Sequence, residues 1–314
     1  MDSFKKLTKL RDHLQDLTLE EARSLMKACL EGRVSQVKMT AFLTAMRIKG
    51  ETVEELLGII RAIKEKMITP DPKPTALDLA PNYDGKVRTL YILPSAVAIA
   101  SRAGVEITHH YARGVPVKQG TLLVDVLKGL GNNIVSDDKF VASDQRDFCP
   151  SLHSLLPLRR ELGFRTFINT VEKLLSPFGA RCIATSVFHR PFFEKIYHLL
   201  QELGFENFVI IKGVEGSIEP LTDKPTLYMG KDGILREFDP KEEGIELPAD
   251  IKTDEVLGQS VSINRSILKG DLKGPFLNWS LLTAGFLIYA AGKAESPFHG
   301  YKIAEEEFFK SKFI

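Results

Sequence analysis

Phosphate binding is the chemistry that the residue types of this sequence most directly permit. Lys86 and Arg88, Arg113 and Lys118, and Arg190 and Lys195 fall in pairs, each beside a loop expected to follow a β-strand. In an open α/β sheet such loops gather outside the carboxyl ends of the strands, where ligands bind. The six side chains are therefore expected to line one cleft that accepts a phosphate backbone. Tyr83, Tyr91, Tyr111 and His110 lie near these loops and could stack on the bases of a single strand, although Tyr91 sits in an apolar run that equally suits a core residue. Helix N-termini expected at Ser95, Thr121 and Pro191 would add partial positive charge.

Other chemistries find less support. His109 and His110 are neighbours on an expected strand, where successive side chains point to opposite faces, so the two cannot easily share a metal. His153, His189 and His198 show no ligand spacing, and no metal is expected. No Ser/His/Asp or Cys/His arrangement emerges, Glu215 with Glu219 is weak support for acid–base work, and no catalytic residue is assigned. Cys29, Cys149 and Cys182 are too scattered for a disulfide framework or half a zinc site, and read as reduced thiols of a cytoplasmic protein.

The whole-chain charge hides a polarity. Across 314 residues, 42 Lys plus Arg face 41 Asp plus Glu, a formal +1, which taken alone argues against a nucleic-acid partner. By segment, Gly85 to Leu130 holds six basic residues against two acidic (+4), and Leu158 to Gly213 holds eight against five (+3). Val214 to Ser260 holds five against twelve (−7) and could hold a basic partner instead. A hydrophobic share of 44% with 26% charged residues excludes a disordered chain. The start, Met1 to Lys6, lacks the apolar core of a signal peptide. Phe276 to Ala291 is apolar but carries Asn278 and Ser280 and is too short for a bilayer, so no membrane partner is expected.

The elements that must position these residues follow from pattern. Thr18 to Glu21 matches a capping box, and Leu19, Ala22, Leu25, Met26, Cys29 and Leu30 then recur at helical spacing up to Gly32. A second helix is predicted from about Ser35 to Ile48, ending at Gly50, and a third opens at Thr52 to Glu55. Pro70, Pro72 and Pro74 mark a linker. Beyond it come strands at Leu77–Ala80, Val105–Thr108, Arg181–Val187 and Phe208–Ile211. Helices are predicted at Ser95–Ala103, Thr121–Lys128 and Pro191–Leu203. Strands alternating with helices imply an α/β fold with a mostly parallel sheet. A helical stretch from Ser151 to Thr170 is expected to fold back on the first three helices. The expected division is a helical bundle over 1–70, joined by 146–173, and an α/β domain over 75–145 and 174–314.

Leu17 to Ala22, Ala41 to Thr52, Arg159 to Thr166 with Asn169, and Ala291 to Ala294 occur in the order found in anthranilate phosphoribosyltransferase, and the sequence resembles that family, glycosyltransferase family 3, nearly end to end. The resemblance implies a small helical domain over a mostly parallel α/β domain, with dimerisation through the helical part. It also implies a glycine-rich loop, GTGGDG, whose amides hold phosphoribosyl pyrophosphate. Here the matching stretch is Ala80-Pro81-Asn82-Tyr83-Asp84-Gly85, a vestige in which Pro81 removes an amide and Tyr83 places a ring where phosphate would lie. The family's Asn-Ile-Ser-Thr is replaced by Tyr91-Ile92-Leu93-Pro94. Its magnesium-binding Asp-Glu pair is reduced to Ile218-Glu219, a poor site for a hard cation. Its Gly-Pro is replaced by Glu172-Lys173. Arg159 matches the anthranilate-contacting arginine, and two readings stay open for it, a ligand contact or a structural ion pair.

Several parts of one active site are thus altered together. The Pro-x-Tyr-x-Gly loop, with Phe148-Cys149-Pro150 and Gly213-Val214-Glu215-Gly216, is similar to the YbiB-type branch of the family, which is associated with nucleic-acid binding by a dimer. The expectation is a cytoplasmic homodimer that binds DNA or RNA, single or double stranded, with little sequence preference and no cofactor. The alternative is a divergent phosphoribosyltransferase using phosphoribosyl pyrophosphate and magnesium.

Overall fold

Thr18 and Thr52 each start a helix as their contexts predict: both hydroxyls accept from the backbone of the Glu three residues on, and both Glu side chains accept from the cap backbone. In this computed structural model, which describes residues 2–7, 14–131, 134–135, 138–310 and 313, the N-terminal helices are α1 (Asp2–Leu7), α2 (Leu19–Leu30), α3 (Gln36–Lys49) and α4 (Val53–Lys64). A Cβ on Gly58 would collide with the carbonyl oxygen of Leu19, so only glycine lets α2 and α4 approach so closely. Glu55 is buried and accepts from the Leu17 amide at 2.8 Å and from Lys49 Nζ at 2.8 Å. The capping residue thereby also fixes the chain's entry into the bundle.

The α/β part runs β1 (Leu77–Ala80), α5 (Leu93–Arg102), β2 (Ile107–Tyr111), α6 (Leu123–Leu130) and β3 (Phe140–Asp144). Short helices α7 (Gln145–Phe148), α8 (Pro150–His153), α9 (Leu156–Leu162) and α10 (Ile168–Val171) follow. Then come β4 (Cys182–Ser186), α11 (Phe192–Glu202), β5 (Asn207–Ile211), β6 (Thr226–Gly230), β7 (Leu235–Phe238), α12 (Val256–Lys269), α13 (Pro275–Ala290) and α14 (Pro297–Lys310). These strands form one sheet in the order β3-β2-β1-β4-β5-β6-β7. The first five in that order are parallel, and β6 and β7 are antiparallel additions.

Strand alternation divides the apolar residues between two cores. Ala184, Val209 and Ile211 face α5, α12, α13 and α14, whereas Ile183, Phe208 and Ile210 face α11 and the helical bundle. Phe148, Leu152, Phe167, Ile168 and Val171 belong to the second core, so the central helical stretch does fold back on α2–α4. Helix α13, apolar on nearly every side, is buried under the sheet. Among the described residues no helix is long and apolar enough to cross a membrane.

Candidate functional site

The N-terminus of α5 is where a parallel α/β fold offers free amides to an anion. Here this chain's own side chains take them. Tyr91 N–H donates to Ser260 Oγ at 2.9 Å, Ile92 and Leu93 N–H to Glu219 Oε1 at 3.1 and 3.3 Å, and Ser95 N–H to Asn264 Oδ1 at 2.8 Å. Lys86 Nζ lies 3.0 Å from Glu219 Oε1, donates to Leu90 O at 2.8 Å and sits 4.6 Å from the Tyr91 ring centre. Lys86 and Glu219 are both fully buried. Burial lowers the Lys86 pKa against the opposing pull of Glu219. Lys86 therefore cannot touch a nucleic-acid backbone, which corrects the expectation for it: its ammonium neutralises the buried Glu219 carboxylate. Magnesium and phosphoribosyl pyrophosphate do not fit residues arranged in this way.

The vestigial loop is closed from within. Gly85 takes φ +74°, and a Cβ there would lie 2.6 Å from the Gly120 backbone. This close approach lets Lys86 and Thr121 exchange backbone hydrogen bonds of 3.0 and 2.9 Å. The Tyr83 hydroxyl bonds His110 Nδ1, and His110 Nε2 lies 3.1 Å from Asp78 Oδ2, all three residues being buried. Burial raises the Tyr83 phenol well above its ordinary pKa and lowers His109, which bonds Leu79 O, to about 4. Tyr83, Tyr91 and His110 are thus unavailable for base stacking, and only Tyr111 keeps partial exposure.

The other predicted cations are dispersed. Lys118 Nζ donates to Gly85 O at 2.7 Å and Glu215 O at 3.1 Å and lies 3.4 Å from Asp84 Oδ1, which makes it an internal strut. Arg113 pairs with Asp125 at 2.6 Å, and Lys195 donates to the Glu51 carbonyl at 2.5 Å. Arg88 is exposed, 3.8 Å from Glu215, and Arg190 is exposed. Arg159 is fully buried and bonds both oxygens of Glu172 at 2.8 and 2.9 Å. Of its two readings, the structural ion pair holds, and the partner is the Glu that replaced the family's Gly-Pro.

What the fold does bring together is a cavity of about 250 Å³ between the helical bundle and the carboxyl ends of β1 and β4. None of the six predicted cations lines it. Its walls carry Arg47 and Glu51 from the bundle, Asn82, Tyr83 and Asp84 from the old loop, Arg165, Asn169 and Lys173 from the central helices, Ser186 to His189, and Glu215. Arg165 pairs with Asp84. Burial alone would raise the pKa of Glu215, but the Thr89 hydroxyl, Lys118 and the Arg88 and Val87 amides outweigh it and hold the carboxyl below its usual range. Sequence reasoning missed Arg47, Arg165 and Lys173. A signal was present for Lys173, which stands in the replaced Gly-Pro.

Lys173 Nζ donates to Ser186 O at 2.5 Å, and burial lowers its pKa to about 8. A lysine depressed in the folded state releases its proton there first. Its contribution to stability therefore rises from about pH 8 towards the ~10.4 of an unfolded lysine. Urea melts across this range should show that rise, and Lys173→Met should flatten it. An unchanged slope would remove Lys173 as its source.

Two family models match the chain: the glycosyl transferase family helical bundle domain over residues 5–67 and the glycosyl transferase family a/b domain over 86–310. An uncharacterized protein of Aquifex aeolicus (strain VF5) is 54% identical, with 97% of each chain covered. The anthranilate phosphoribosyltransferase of Geobacillus sp. (strain WCH70) is 30% identical, with 94% of this chain and 91% of the relative covered. The crystal structure of anthranilate phosphoribosyltransferase from Thermus thermophilus superposes with a TM-score of 0.82 at 27% identity, covering 98% of this chain and 94% of that one. With both domains matched in order and relatives aligned over nearly the full length, this chain belongs to glycosyltransferase family 3, the family that includes the anthranilate phosphoribosyltransferases.

Proposed function

We propose that this protein is a cytoplasmic nucleic-acid-binding member of its family, taking DNA or RNA with little sequence preference, and that the YbiB-type branch is its place. The observation that carries the reading is an anion cradle filled by the protein's own side chains beside an open cavity mouth that bears cations and an aromatic ring. Glu219, Asn264 and Ser260 hold the α5 amides, so transfer from a pyrophosphate-bearing sugar is disfavoured. At the mouth, Phe188 is 59% exposed beside exposed His189. Exposed Arg47 and Arg190 flank them and have no ion-pair partner among the described residues. Cations beside an exposed aromatic ring suit a strand of phosphates and bases. The unpaired thiols of Cys29, Cys149 and Cys182 accord with a reducing compartment.

Binding of a fluorescent 20-mer should weaken steeply with salt, and charge reversal of Arg47 and Arg190 should make the log–log slope shallower by about one per arginine. Absence of binding at low salt would sink the proposal. Millimolar phosphoribosyl pyrophosphate with magnesium is expected to leave the melting temperature unmoved, and a rise of several degrees would favour the phosphoribosyltransferase reading.

The homodimer belongs to the same reading. Val37 (80% exposed), Thr40, Ala41, Thr44 and Ile48 (70% exposed) fall on one stripe of α3. Short side chains between two exposed aliphatics let a second helix approach closely. Val37→Glu with Ile48→Glu should convert a dimer into a monomer by sedimentation velocity, whereas a wild-type monomer would exclude the arrangement.

A further inference from the structure

We propose that the cavity between the domains receives one unpaired base of the bound strand, stacked on Phe188 and read by Asn82. This rests on the nucleic-acid reading above and goes beyond it in assigning a base-binding site and a single-stranded substrate.

Three observations converge. Asn82 lines the cavity and is buried; its Nδ2 donates to Gly85 O at 2.6 Å, which fixes the amide's orientation, while its Oδ1 has no hydrogen-bond donor among the described residues. A buried acceptor left unsatisfied is costly, and the ring N–H or exocyclic amine of a base would satisfy it. Asp84 and Glu215 form part of the same wall. Arg165 and Lys118 pair with Asp84, and Glu215 accepts from Thr89 and the Val87 and Arg88 amides. The inner wall is therefore charge-balanced and presents acceptors to the N–H groups of a base edge, while the cation at the mouth faces the phosphate. Lys173, with no carboxylate paired to it among the described residues, is positioned to donate to a base carbonyl or ring nitrogen.

The mouth completes the sorting. Phe188 packs against Gly216, where a Cβ would lie 3.5 Å from the ring, and remains largely exposed. Arg47, exposed at the cavity edge, is placed to meet the flanking phosphate. Stacking on an aromatic ring tolerates any base, in keeping with little sequence preference, and a base that enters the cavity must first be unpaired.

The test compares an intact 12-mer single strand with an abasic strand of identical backbone charge, at one salt concentration. Wild-type protein should bind the intact strand about tenfold more tightly. Phe188→Ala, a change at an exposed residue, should bind both strands equally weakly, and Phe188→Trp should restore the preference. Asn82→Leu should reduce the preference without altering abasic binding. Equal binding of the two strands by wild type, or a preference that survives Phe188→Ala, overturns the base site while leaving phosphate-driven binding intact. Failure of wild type to bind either strand overturns both proposals, so the two failures are distinguishable.

Discussion

Lys86→Met should destabilise the protein by about 3–5 kcal/mol, because removing one member of a buried ion pair leaves an uncompensated charge in a low-dielectric interior. Lys86 and Glu219 are each fully buried and 3.0 Å apart. Glu219 Oε1 also holds the Ile92 and Leu93 amides, and its Oε2 has no partner among the described residues. The carboxylate depends on Lys86 for its counter-charge. The double variant Lys86→Met/Glu219→Gln should recover most of the loss, since glutamine still accepts from both amides and carries no charge. Urea unfolding measures both. A single variant within about 1 kcal/mol of wild type would mean that the pair contributes little and that the cradle is held by Asn264 and Ser260.

The second large effect is expected at Arg159. Its guanidinium bonds both oxygens of Glu172, neither residue being exposed. Arg159→Met should therefore cost about 3–5 kcal/mol, whereas Arg159→Met with Glu172→Met should fall near wild type, because a buried pair replaced by apolar groups of similar volume is often neutral. The double-mutant cycle isolates the coupling. If both single variants are mild, Arg159 is no structural anchor, and a ligand role for it reopens.

The fold was largely legible because its helices and central strands announce themselves locally. Thr18 and Thr52 carry their capping partners three residues away, and Leu77–Ala80 matches β1 residue for residue. What escaped were the sheet's outer strands and the C-terminal helices α12 to α14, of which only the apolar run Phe276 to Ala291 stood out. β3 (Phe140–Asp144) is a half-buried edge strand without a strong apolar run, and the β6–β7 hairpin is made of strands of five and four residues that show no clean alternation of buried and exposed positions.

The candidate site was legible in its losses and illegible in its contents. Set against the motifs of the family the sequence resembles, Pro81 and Tyr83 read as changes to the phosphate loop and Ile218 as a change to the magnesium pair. Counting cations could not show which of them the fold would bury: Lys86 and Lys118 lie inside the loop they were expected to decorate. Nor could it show that Arg47, more than a hundred residues from Lys173 in sequence, would share a wall with it. Those are long-range facts of packing, set by how α3 and the central helices meet the sheet.

The ammonium of Lys86 differs from a metal ion in one further respect. An ion is exchanged with the surroundings, so a loop held by one opens and closes with supply, and its geometry has an affinity attached. A lysine tethered to the same backbone is always present at a fixed effective concentration. The shape of this loop is accordingly expected to stay the same when divalent ions or a chelator are added.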